Sequence, residues 1–139
     1  MDGAFSVPVT FVTNDADENL FNFNITGTAT GGTPAAGVSC DDGGAVADGD
    51  SIDVGSEVPG TAKTVTCTVT NSGTADMTIG TAASNGSDTN VSNVSFGAPA
   101  STTVTAGGGS TTFTVTFTPV ANGSFSIPLA FSTTDPNAN

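Results

Sequence analysis

Proton-transfer catalysis has almost nothing to work with in this chain, which contains no histidine, tyrosine, tryptophan or arginine, one lysine, two cysteines and thirteen acids. A Ser-His-Asp triad, a Cys-His pair and an arginine clamp are therefore all unavailable. A pair of carboxylates, as glycosidases use, remains conceivable. The acids, however, lie in Gly- and Asn-rich stretches with no Tyr or Trp on which a sugar ring could stack. The sequence predicts that the protein is not an enzyme.

Metal binding is the next chemistry to consider. Asp15, Asp17, Glu18 and Asn19 form one oxygen-rich stretch, and Asp41, Asp42, Asp48, Asp50 and Asp53 form a second. A calcium ion takes about 6–8 oxygen ligands from flexible loops, so Ca²⁺ is the one cofactor these residues suggest. Neither stretch has the Asp-x-Asp-x-Asp-Gly spacing with a distal Glu, and short acidic side chains in turns commonly accept hydrogen bonds from their own backbone instead. Both readings stand at this level.

Cys40 and Cys67 are 27 residues apart and lack the Cys-x-x-Cys spacing of a zinc or redox site. A structural disulfide is the favoured reading, with two buried thiols as the alternative. A disulfide implies an oxidising, extracellular or cell-surface setting. Met1-Asp2-Gly3 does not open a signal peptide, so a targeting segment is expected to have been removed or to lie elsewhere. A net charge of −12, with Lys63 as the sole basic residue, repels a phosphate backbone and an anionic bilayer alike. No nucleic-acid partner is expected. No stretch approaches the ~18 consecutive apolar residues of a membrane-spanning helix.

The elements that must position these residues are strands. Apolar side chains alternate with Thr, Ser or Asn at Val7, Val9 and Phe11, at Phe21, Phe23 and Ile25, at Val65, Cys67 and Val69, at Phe113, Val115 and Phe117, and at Ile127, Leu129 and Phe131. A period of two places one row in a core and the other in water. No 3.6-residue apolar pattern marks a helix. Gly-, Asn- and Pro-rich clusters punctuate the runs, which predicts an all-β, antiparallel sandwich.

One internal repeat breaks this regularity. Residues 3–19 (GAFSVPVTFVTNDADEN) recur as 123–139 (GSFSIPLAFSTTDPNAN), identical at eight of seventeen positions. The first copy continues into the alternating segment LFNFNITGTA, residues 20–29, and nothing equivalent follows the second. A sheet lacking its last strand exposes unpaired N–H and C=O groups beside a bare apolar face. Phe21, Phe23 and Ile25 are therefore the candidate donor-strand residues.

The succession IDVGSEVPGTAKTVTCTVTNSGTADMTIG, then TVTAGGGSTTFTVTFTPVANGSFSIPLAF, together with NDADENLFNFNITGTA, resembles the Hydin-like and abnormal-spindle-like immunoglobulin family. The likeness is closest to its bacterial and archaeal "choice-of-anchor" repeats. It implies an immunoglobulin-like antiparallel β-sandwich of about seven strands in a long surface or secreted protein, with no catalytic residues to carry over. On this mapping the first strand region is residues 38–54, and the final strand is matched only by residues 20–29.

These readings predict an N-terminal β-hairpin over residues 1–29 that supplies a complementing last strand, either to a neighbour or, folded back, to its own chain as a monomer, and an immunoglobulin-like domain over 30–139 that lacks its own C-terminal strand. The expected function is a non-catalytic building block of a multi-repeat protein or filament, joined end to end by strand complementation. Its partners would be copies of itself or adjacent immunoglobulin-like repeats. An adhesin, or a carbohydrate- or Ca-dependent binding module, is the alternative.

Overall fold

The computed structural model describes residues 2–17 and 20–138. The chain is all-β, with antiparallel pairing throughout and no helix among the described residues. It divides into two compact units, Met1–Gly32 and Thr33–Asn139.

The first unit is a hairpin of β1 (Gly3–Val12) and β2 (Leu20–Ala29). The register sets Phe11 opposite Phe21, Val9 opposite Phe23, Val7 opposite Ile25 and Phe5 opposite Gly27. Residues opposite one another share a face, so this register gathers the apolar side chains of both strands on one side. The Phe5 ring lies over Gly27, where a Cβ would meet it at 2.6 Å. A larger residue at this position would have to push the half-exposed ring aside.

The second unit is built on a five-stranded sheet in the order β4 (Gly44–Val46), β3 (Ala36–Cys40), β5 (Lys63–Asn71), β10 (Gly109–Pro119), β8 (Val91–Phe96). Alternation in the two long central strands directs Val65, Cys67 and Val69 of β5, with Phe113, Val115 and Phe117 of β10, into a buried core. Thr64 and Thr116 face the other way and join hydroxyls at 2.9 Å. The sequence placed one strand region over residues 38–54. Instead β3 and β4 form a tight hairpin through Gly44, whose φ of +71° suits a residue without a Cβ.

Shorter pieces pack over the inner face of this sheet. They are β6 (Met77–Thr78) with β9 (Thr103–Val104), and β7 (Ala83–Ser84) with β11 (Leu129–Ala130). Met77, Ile79, Ala82 and Val104 complete the buried cluster. Asn71 is fully buried and satisfies every polar valence of its amide. Its Oδ1 accepts from the N–H groups of Ala35 and Gly73 at 3.0 Å, and its Nδ2 donates to the carbonyls of Ala75 at 2.8 Å and Val104 at 3.0 Å. One side chain thus ties the start of β3, the 72–75 turn and β9 together.

The repeat seen in the sequence recurs in hydrogen bonds. In the first copy the N–H of Asp15 donates to Thr13 Oγ1 at 3.2 Å, and that of Asp17 to Asp15 Oδ1 at 3.0 Å. In the second, Asp135 donates to Thr133 Oγ1 at 2.7 Å and Asn137 to Asp135 Oδ1 at 2.9 Å. The same turn is therefore built twice.

Candidate functional site

The C-terminal segment carries one edge of an open groove. Toward residues 78–89 its backbone is well bonded: Ser126 and Thr89 exchange bonds of 2.9 and 3.1 Å, the Pro128 carbonyl accepts from Asn85 at 2.9 Å, and that of Ser132 accepts from Gly80 at 2.9 Å. The bonding positions are even-numbered. In a strand the intervening residues present their N–H and C=O to the opposite edge. Among the described residues no backbone bond reaches Ile127 or Phe131 there.

That free edge borders a groove of about 1060 Å³. Its floor is the inner face of the five-stranded sheet at Val38, Cys40, Val65, Cys67, Phe113 and Val115, and its far wall is β4 with residues 47–54. Phe131 and Phe125 lean over the floor, their rings 5.6 Å from Phe113 and 5.3 Å from Phe117. The groove is open and mainly apolar, and the floor side chains other than Val38 are already almost wholly buried. A pocket for a small polar ligand would instead be enclosed, with a few converging polar groups.

The hairpin displays an apolar surface of its own. Phe21, Phe23 and Ile25 are 40%, 45% and 51% exposed, and Phe5, Val7 and Phe11 are about half exposed as well. Phe11 stacks on Phe21 at 5.1 Å, and Phe21 meets Phe23 edge-on at 6.3 Å. A contiguous apolar row of this kind marks an interaction surface.

Cys40 and Cys67 are bonded to each other as register partners on β3 and β5, with Cα atoms 4.1 Å apart, and both line the groove floor. The bridge pins the edge hairpin β3–β4 to the central strand. Such a bond is made and kept in an oxidising setting.

The acids suggested as metal ligands are mostly engaged locally. Asp15 caps its own turn, as described, and Asp17 contributes a backbone donor there. Glu18 lies outside the described residues. Asp41 Oδ1 accepts from the N–H of Thr66 at 2.9 Å, while Asp50 and Asp53 accept from Ala47 and Gly55 at 3.3 and 2.9 Å. Asp42 and Glu57 flank Lys63 Nζ at 3.1 and 3.0 Å. The Glu57 contact is foremost in raising the Lys63 pKa, with Asp42 adding to it. These groups are partly exposed, so the ion pairs add little to stability. Among the described residues no three acids, histidines or cysteines are placed to hold a metal ion. Thermal melts with millimolar Ca²⁺ and with chelator are expected to superimpose, whereas an upward shift with Ca²⁺ would establish a site through preferential binding to the folded state.

Asp135, the counterpart of Asp15 in the second copy of the repeat, lines the groove. Its Oδ2 accepts from the N–H of Ala36 at 2.7 Å, and its side chain is buried. The Ala36 bond, then the Asn137 bond, hold its pKa below the ordinary 3.8. A carboxylate with a depressed folded-state pKa contributes stability that is present above the unfolded value and lost as pH falls through the folded one. The Tm of the protein should therefore drop below about pH 4, and Asp135→Asn should flatten that part of the profile. An unchanged acid limb would exclude this role.

No family model, curated protein or solved structure matches this chain. Among the described residues no helix is long and apolar enough to cross a membrane.

Proposed function

We propose that this protein is a non-catalytic structural building block of an extracellular or cell-surface assembly. Copies are linked end to end, with β2 of one entering the groove of the next. The observation that carries this reading is a pair of features on one chain. Residues 125–131, which repeat the sequence of β1, stand with a free edge on an apolar groove. The strand that follows β1 in sequence carries three half-exposed apolar side chains. Strand addition satisfies both, since backbone bonds supply affinity and alternate side chains fill the groove.

Completion in this way would give an immunoglobulin-like sandwich, as the family resemblance implies. Each copy bears one donor, in the first unit, and one acceptor, in the second. The contact is therefore heterologous, and it propagates as an open fibre unless the rotation closes a ring.

Light scattering coupled to size exclusion, and imaging of negatively stained protein, test this over a range of concentration. Oligomers that lengthen with concentration are expected. A chain that stays monomeric up to millimolar concentration would overturn the proposal.

A further inference from the structure

We infer that β1 is a built-in stand-in for the acceptor strand, which β2 leaves during assembly to pair in the same register with residues 125–131 of a second copy. This inference rests on the assembly proposed above and specifies its partner edge and its switch.

Three observations carry it. First, β1 and residues 125–131 are the two copies of the repeat, with Phe5, Pro8 and Phe11 retained as Phe125, Pro128 and Phe131. Second, each copy runs into the same turn, with Thr13, Asp15 and Asp17 bonded as are Thr133, Asp135 and Asn137. The two segments thus share both strand and exit geometry. Third, residues 125–131 bond residues 78–89 through their even positions and leave the odd edge free. Pro8, an even position of β1 set opposite Asn24, has no N–H to donate, which assigns the bonding to β2 to the odd edge of β1. Both segments then present the same edge to the same strand and must compete for it.

The register transfers by a shift of 120 residues. Phe11 opposite Phe21, Val9 opposite Phe23 and Val7 opposite Ile25 become Phe131 opposite Phe21, Leu129 opposite Phe23 and Ile127 opposite Ile25. On the outward face, Thr10 opposite Asn22 becomes Ala130 opposite Asn22. The inward face of β2 then lies over the groove floor. The ladder that is lost and the ladder that is gained are nearly alike, so the exchange is driven by covering Phe21, Phe23 and Ile25. In the free chain β1 occupies the sheet edge of β2 that would otherwise pair without control.

Paired cysteines on the exposed outward face distinguish the outcomes. Protein carrying Asn22→Cys is mixed with protein carrying Ala130→Cys or, four residues out of register, Ser126→Cys, and the mixtures are oxidised under conditions that leave Cys40–Cys67 intact. Cross-linked heterodimer is expected at least tenfold more abundantly with Ala130→Cys. A heterodimer formed equally or preferentially with Ser126→Cys would keep strand addition and overturn the register. Absence of cross-linking in both mixtures would overturn the assembly itself, and this inference with it. A third protein, Thr10→Cys/Asn22→Cys, locks β1 to β2. It should remain monomeric at concentrations where the wild type and both single variants assemble. Assembly of the locked chain at the wild-type level would show that the hairpin adds intact, overturning the exchange alone.

Discussion

Replacing Phe21, Phe23 and Ile25 together by serine is expected to weaken association by roughly one and a half to three powers of ten while leaving residues 33–139 folded. Full burial of three such side chains is worth about 1.5–3 kcal/mol each. In the free hairpin these side chains are already about half covered, so assembly gains on the order of 2–4 kcal/mol from them, at about 1.4 kcal/mol per tenfold. The core of the second unit contains none of the three residues. Its melting transition should therefore match that of wild type. Serine at Asn22 and Asn24, on the opposite face, is the control and should have little effect. Equal assembly of the triple variant and wild type in sedimentation would remove the apolar face of β2 from the interface. Loss of the fold would instead show that the hairpin supports the domain within one chain.

The second large effect is expected from the disulfide. Cys40 and Cys67 close a loop across a separation of 27 residues, for which the chain-entropy model gives about 3–4 kcal/mol. A domain of this size has only about 5–15 kcal/mol in total. Cys40→Ala/Cys67→Ala should thus lower the Tm by roughly 15 °C, at about 4–8 °C per kcal/mol. Part of the loss is local. Both sulfurs lie in the buried cluster, and β3 carries β4, so release of the bridge frees the hairpin that borders the groove. Assembly should fall along with stability. A Tm within a few degrees of wild type would show that backbone pairing of β3 with β5 suffices to hold this wall.

Much of the fold was legible because a period of two is unambiguous over a long strand. TVTCTVT and TFTVTFT alternate over seven residues and became β5 and β10, the centre of the five-stranded sheet. The Cys pair was legible because a spacing unsuited to a metal site leaves few structural uses. Residues 38–54 misled because Val38, Val46, Ile52 and Val54 are all partly buried apolar positions and nothing in the pattern marks the reversal except Asp41-Asp42-Gly43-Gly44. Strand β7 was missed because two residues carry no period. The role of Asp135 was not legible because its bond to Ala36 joins residues 99 positions apart.

The sequence by itself determined that the chain is all-β, that it contains no histidine, tyrosine, tryptophan or arginine, and that one strand–turn unit occurs twice. All three depend on residue type and short-range spacing, which act before any distant segments meet. Tertiary structure alone decided which edges are paired. Residues 20–29 carry the same alternation whether they lie against β1 or against residues 125–131, because strand pairing is made by backbone groups that every residue other than proline supplies equally. In this chain β2 pairs with β1 over its whole length, and the odd edge of residues 125–131 is left facing an apolar groove. That choice depends on how sheets pack across large sequence separations, which no local pattern encodes.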